Sequence, residues 1–444
     1  MNTPIYDFLK NYKNISPLRA HMPGHKGRAF NAEELKAAYA YDLTEISGGD
    51  SLFEAEGIIR ESEKNASKLY GTAETVYSCG GSTLCIQAML FLMKQENRTV
   101  IAGRTVHRAF LNACILLGLE VVWVYPKSEK GILSGEYDPW DFEKAIKNLK
   151  EKPCCIYITS PDYMGNMADI RSLSETAHKY DTPLIVDNAH GAHLAFYEKS
   201  LHPIALGADL CCDSAHKMLP CLTGCAYLHT SNKCYKGRLK SAMGMFGSTS
   251  PSYLMMLSLD ICNVFLSENA RKNISKIKKL TEKMKERLSR KYIFTEGQEI
   301  FHVAIDAAAM EIDGRKLGKL LESENCFPEY AGREAVVLLL SAAEREEDIQ
   351  HLENILGKCN ISLCKAEKNT PPAFPKPKSV LGIREAALSE SEIIPVKKAL
   401  GRVCAGVKVP CPPAVPIVIS GEVIDERAVD TLIYYGVDMV EVVV

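Results

Sequence analysis

Two residues of this chain have types and positions suited to chemistry on an amino acid. Asp187 ends the apolar run Leu184-Ile185-Val186 and opens Asn188-Ala189-His190-Gly191-Ala192-His193. Lys217 closes Asp213-Ser214-Ala215-His216-Lys217, after a second apolar stretch, Ala208-Asp209-Leu210-Cys211-Cys212. An acid and a lysine at two nearby strand ends, about thirty residues apart, suit pyridoxal phosphate (PLP). The lysine condenses with the cofactor's aldehyde, and the carboxylate keeps the pyridine nitrogen protonated so that the ring can accept electrons. Each also has a plainer reading: an Asp after a strand is most often an N-cap, and a lysine is most often exposed. The apolar segments around Lys217 argue for a role, because desolvation lowers an amine's pKa toward its nucleophilic form.

Other parts of such a site follow in order along the chain. Ser78-Cys79-Gly80-Gly81-Ser82-Thr83 precedes the apolar, helix-like Leu84–Met93. Glycines and hydroxyls at a helix start, here Ser82 and Thr83, offer backbone N–H groups and the positive end of the dipole to a phosphate; alone, they are equally a turn and an N-cap. His107 follows one expected strand and opens another helix, where it could stack on the pyridine or simply cap. Ala189 is small enough for a ring to lie over it, His190 could support the site from below, and Ser214 and His216 flank Lys217 within reach of a phosphate.

The elements that must position these residues read as an α/β domain with a mostly parallel sheet. Expected strands are Thr99–Ala102, Val121–Tyr125, Cys154–Thr159, Leu184–Asp187, Ala208–Cys212 and Cys225–Leu228, with amphipathic stretches such as Asp141–Leu149 and Ile170–Tyr180 between them. Strand ends of this kind, Thr159-Ser160-Pro161-Asp162-Tyr163 among them, are where α/β sheets bind ligands. Ser267–Tyr292 carries Ile274, Ile277, Leu280, Met284 and Leu288 at three- and four-residue steps and predicts one helix with a single apolar stripe. Beyond it the pattern suits a smaller α+β domain: strands at Ile300–Ile305, Ala335–Leu340 and Val415–Ile419, helices at Gly314–Glu322, Glu344–Leu356 and Ser389–Leu400. The expected division is an arm over 1–55, a large domain over 56–295 and a small one over 296–444, with a Pro-rich linker at 370–377.

Composition excludes several function classes. Of 444 residues, 46% are apolar and 24% charged, and the formal net charge is −2, which leaves no electrostatic footprint for nucleic acid or an anionic membrane. No stretch is long and apolar enough to span a bilayer, and the first residues lack a signal peptide's basic and apolar regions. The 16 cysteines lie mostly in apolar runs without C-x-x-C or a zinc spacing, so reduced core thiols, no metal and a cytoplasmic location are expected.

Further matching stretches are His21-Met22-Pro23-Gly24-His25-Lys26-Gly27, Asp42-Leu43-Thr44-Glu45, Ser248-Thr249-Ser250-Pro251-Ser252-Tyr253 and Ser258-Leu259-Asp260. With Gly81-Ser82-Thr83, Ser160-Pro161-Asp162-Tyr163, the His-Gly-Ala-His segment and Ser214-Ala215-His216-Lys217, they make nearly the whole chain resemble the short bacterial Orn/Lys/Arg decarboxylases. The resemblance implies PLP-dependent transferase fold type I, the aspartate-aminotransferase-like α/β fold, with a large mostly parallel-sheet domain and a smaller α+β carboxy-terminal one. It implies decarboxylation of arginine, lysine or ornithine in polyamine biosynthesis. Lys217 would bind the cofactor covalently, Asp187 pair with the pyridine nitrogen, His107 stack on the ring and His190 lie near it. Ser82, Thr83, Ser214 and His216 would hold the phosphate. The active site would lie at a homodimer interface, with Ser248 or Thr249 reaching the neighbour's phosphate. Glu45, Asp50 and Glu422 are candidate acids for a basic substrate.

The chain departs from the family pattern at Asn188, where a glutamate is common, at Cys85 and Ile86, and at Cys411-Pro412-Pro413-Ala414-Val415-Pro416 and Ile419-Ser420-Gly421-Glu422. None of these removes a group the chemistry needs. The alternatives are another PLP reaction on the same fold, such as an aminotransferase or lyase, or a catalytically silent homologue.

Overall fold

The computed structural model describes every residue except 30–32, 95–97, 128–130, 296, 298, 367–369 and 407–414. The variant segment Cys411-Pro412-Pro413-Ala414 therefore lies outside the described residues. Strands β1 (Glu74–Ser78), β2 (Thr99–Gly103), β3 (Glu120–Val124), β4 (Cys155–Thr159), β5 (Leu184–Asp187), β6 (Leu210–Asp213) and β7 (Ala226–Thr230) alternate with helices that include Gly81–Met93, Arg108–Leu117, Pro139–Asn148 and Ile170–Lys179. The apolar runs locate β2 to β7 to within two residues. β1 was not anticipated; it is fully buried between polar ends, Glu74 and Ser78. The helix starts are set chemically: Asp138 and Asp169 each accept a first-turn N–H, and Pro139 sits where its missing donor costs nothing. The chain divides into two compact units, one of residues 1–93 and 185–273, the other of 94–184 and 274–444.

In the first unit the strand order is β1-β7-β6-β5. β5 and β6 are parallel, with Val186 beside Cys211. β7 runs antiparallel to both β6 and β1, so β1, β5 and β6 share one direction and one carboxyl edge. All four strands are buried on both faces, and β5 and β6 accordingly read as apolar runs. The amino-terminal arm is ordered against this core by two carboxylates. Asp50 accepts the N–H groups of Ser51, Glu56, Gly57 and Ile59 at 2.9–3.1 Å, satisfying the start of helix Ile58–Tyr70. Asp260, in helix Tyr253–Glu268, accepts the N–H groups of Ile5 and Tyr6 at 3.1 and 3.0 Å and so tethers helix Pro4–Asn14. Replacing Asp260 by alanine leaves those two donors without their acceptor, at a cost of ~1–3 kcal/mol. The expected result is faster amide exchange across Pro4–Asn14, with protection elsewhere unchanged; unaltered exchange in that helix would count against the tether.

The second unit holds the parallel strands β4-β2-β3, an antiparallel sheet of β8 (His302–Asp306), β9 (Tyr330–Ala331) and β10 (Ala335–Leu339) in the order β8-β10-β9, and the antiparallel pair β11 (Ser391–Pro395) and β12 (Met439–Val443). One core cluster joins Ile132, Leu133 and Met164 to the tail residues Val396, Ile417, Ile424, Leu432 and Val442.

Three expectations are corrected here. Ser389–Leu400 is not a helix: Ser391–Pro395 pairs with Met439–Val443, and Pro395 could not donate inside a helix. Val415–Ile419 forms no strand, because Pro416 interrupts it and its backbone carbonyls serve another residue. Ser267–Tyr292 is not one helix; Asn269 ends Tyr253–Glu268 and a new helix runs Ala270–Leu288, burying Ile274, Ile277, Met284 and Leu288 as the stripe required.

Candidate active site

β5 delivers Asp187 to the carboxyl edge of the first unit with only 1% of its surface exposed. Its carboxylate accepts the N–H of Ala189 at 3.2 Å, and Cys212 Sγ lies 3.7 Å from the same oxygen. Asp187 stands beside Cys212 in the parallel register. β6 ends one residue later, and the short helix Ala215–Met218 turns Lys217 back toward β5. There its Nζ lies 2.9 Å from Nε2 of buried His190. The acid and the lysine thus stand at the same ends of adjacent parallel strands, as the sequence predicts.

β1 ends at the same edge. Ser78 Oγ accepts from Gly80 N–H at 3.1 Å and donates to the Gly81 carbonyl at 2.9 Å. Gly81 takes φ +65 and bonds the Gly224 carbonyl at 2.9 Å; a side chain there would be strained. Helix Gly81–Met93 starts at this turn, so its unpaired first-turn N–H groups lie at the edge where β1 ends. Ser214 Oγ donates to Ser82 Oγ at 2.8 Å, which brings the two phosphate-type segments together; Thr83 beside them is exposed. His216 Nδ1 donates to the Cys225 carbonyl at 3.0 Å, and burial lowers the pKa of its ring. Nε2 is therefore the atom it offers an anion, and that nitrogen needs a second proton to donate. A buried carboxylate for a ring nitrogen, an amine and a hydroxyl-lined helix start form a donor set that fits PLP.

His107 belongs to the other unit. It caps helix Arg108–Leu117, its Nδ1 accepting from Ala109 N–H at 3.2 Å. Ser248 and Thr249 are exposed on the first unit. Of the three candidate acids, Asp50 spends its carboxylate on backbone N–H groups, and Glu45 is exposed. Glu422 is committed to an ion pair inside the second unit: its Oε2 lies 3.1 Å from Nη2 of Arg104, which also bonds the Pro416 and Ile417 carbonyls at 2.9 and 3.4 Å. Trp123 and Phe374 flank that guanidinium. Burial pushes the Glu422 carboxyl up while Arg104 pulls it back.

Asp213 was not singled out from sequence. An acid ending the buried run Leu210-Cys211-Cys212 was the available signal. It is fully buried and accepts from Asn188 Nδ2 (2.7 Å), His202 Nε2 (3.0 Å) and His229 Nε2 (3.1 Å). His202, Cys211 and Asp213 have ligand-type atoms within 4.8 Å of one another. A carboxylate oxygen only accepts, however, so both Nε2 atoms carry hydrogen and are not lone-pair donors to a cation.

The Orn/Lys/Arg decarboxylase major-domain family matches residues 3–316, and the family's C-terminal domain matches 370–438. The chain belongs to the Orn/Lys/Arg decarboxylase family. It is accordingly a decarboxylase of basic amino acids. The arginine decarboxylase of Bacillus subtilis (strain 168) is 28% identical over 453 residues, covering 96% of this chain and 92% of that protein. The lysine decarboxylase of Francisella novicida superposes with a TM-score of 0.80 at 15% identity, over 99% of this chain and 78% of that one. A structure of SPT with PLP superposes with a TM-score of 0.53 at 13% identity, over 67% and 75%. The likeness to the lysine decarboxylase shows the α/β fold expected for the decarboxylase.

Proposed function

We propose that this decarboxylase converts arginine to agmatine and carbon dioxide with PLP as cofactor, in the cytoplasm, as a homodimer supplying polyamine biosynthesis. Arginine is preferred over lysine and ornithine because relatives matching along nearly their whole length carry that name. The observation that carries the reading is the convergence of Asp187, Lys217 and the Gly81–Ser82 helix start on one edge of one unit.

When bound, PLP supplies an electron sink for the bond to the departing carboxylate. Asp187 would hold a proton on the ring nitrogen in a dry setting, where a charge pair is stronger than in water. Ser82 and Thr83 would donate hydroxyl hydrogens to the phosphate, Ser214 would orient Ser82 through the bond it donates to that hydroxyl, and His216 would join them when its Nε2 is protonated. Ala189 leaves space under the ring. Lys217 Nζ lies 2.9 Å from His190 Nε2, so the amine could deliver a proton to the substrate Cα after carbon dioxide leaves. For His107 on the ring face, and for Ser248 or Thr249 toward a partner subunit's phosphate, the reading rests on the family resemblance.

The test is mass-spectrometric analysis of products from PLP-loaded protein given equimolar arginine, lysine, ornithine and neutral amino acids. Agmatine as the main amine is expected. Cadaverine or putrescine in its place would overturn the choice of arginine, and a keto acid without any amine would overturn decarboxylation itself.

A further inference from the structure

Beyond the last rung of the β5–β6 ladder, from Asn188 N–H to the Cys212 carbonyl at 2.9 Å, the two strands part. One leads through Ala189 to His190, the other through Ser214 to Lys217. The 2.7 Å bond from Asn188 Nδ2 to Asp213 Oδ1 joins these segments at their roots. Neither partner can swing away. A Cβ on Gly191 would lie 1.9 Å from Asn188 Oδ1, so the Asn188 side chain is wedged beneath the residue that follows His190. Asp213 is gripped from two further elements, by His202 before the turn Pro203–Leu206 and by His229 on β7, whose Nδ1 lies 2.9 Å from Thr75 Oγ1 on β1.

We propose that Asp213 and Asn188 are positioning residues for the decarboxylation: their bond fixes the separation between Asp187 and the Lys217–His190 pair. A fully buried carboxylate accepting three N–H bonds stays ionised; burial works against this, and His202 and His229 outweigh it, holding Asp213 well below the usual carboxylate range. The charge matters because a charged acceptor grips the Asn188 amide more tightly than a neutral one. Through this anchor β1, β5, β6 and β7 are referred to one point directly behind the reacting groups. The inference rests on the reading of Asp187 and Lys217 as the active pair.

Three variants test it: Asp213→Asn, Asn188→Asp, and the double variant in which donor and acceptor change places. Each single change is expected to lower kcat by about 10- to 100-fold, the effect of misplacing reacting groups by around 1 Å, with KM and the dissociation constant for PLP changed less than about threefold. The double variant is expected to recover most of the lost kcat. Asn188→Ala, which leaves the carboxylate on both imidazoles, carries the same expectation as the single changes and is available if Asp213→Asn does not fold. Unchanged kcat per PLP-bound subunit, or a double variant no better than the poorer single one, would overturn the proposal. Wild-type protein that binds no PLP or releases no carbon dioxide would instead overturn the underlying site reading.

Discussion

Replacing Lys217 by alanine is expected to abolish carbon dioxide release and the visible absorbance of bound PLP together, with turnover down by at least ~10³-fold. Both effects follow from one atom. In the proposed reading Lys217 Nζ would bind the cofactor, and with His190 Nε2 at 2.9 Å it would also be the proton donor nearest the chemistry. Asp187→Ala separates binding from electronics. PLP should still bind, because the phosphate-type groups and Lys217 are intact, while turnover falls about 10²- to 10³-fold, the size of a lost preorganised electrostatic contact. Near-normal turnover in Asp187→Ala would remove its role at the ring nitrogen; a retained absorbance band in Lys217→Ala would move the covalent link elsewhere.

Arg104→Met is expected to cost about 3–5 kcal/mol of stability, because it strands the Glu422 carboxylate in the protein interior. Arg104 has none of its surface exposed and Glu422 almost none. Glu422 Oε2 also accepts the Ile419 N–H at 2.9 Å, so the lost cation leaves a partly paired anion in place. The same substitution frees the Pro416 and Ile417 carbonyls, which hold the irregular tail segment. Thermal denaturation should show a markedly lower midpoint, and adding Glu422→Leu should restore much of it, since a matched apolar pair is often as stable as a buried ionic one. A midpoint unchanged in Arg104→Met would mean that the pair contributes little to this unit.

The parts of the chain that were legible in sequence are those where local pattern and tertiary demand agree. β2, β4, β5 and β6 are buried on both faces or nearly so and read as apolar runs ending in turn residues, which is why Asp187 and Lys217 could be assigned to strand ends. β1 escaped because its polar ends mask three buried central residues, and its pairing with β7 spans a long separation in sequence. The Ser391–Pro395 strand escaped for a related reason: its residues are largely exposed, so no alternation marks it, and the pairing with Met439–Val443 overrides a helical pattern. At the site itself, residue types pointed to the groups proposed here for the cofactor. The fate of Glu422 and Asp50 was invisible, because an acid buried against an arginine or a helix start looks the same in sequence as one awaiting a basic substrate.

The interleaved layout has a consequence for synthesis on the ribosome. Among the described residues β1 pairs only with β7, and β7 is translated roughly 150 residues later; at about 5–20 residues per second, β1 waits roughly 7 to 30 s for its partner. Through that interval a strand with both edges open is attached to a helix, Gly81–Met93, that is apolar on nearly every side. The first unit closes only when residues up to 273 have emerged, and the second only with the tail strand Met439–Val443. The segment from Glu74 to Met93 therefore stays exposed until β7 emerges, with an open strand edge and an apolar helix of the kind that aggregates or engages chaperones.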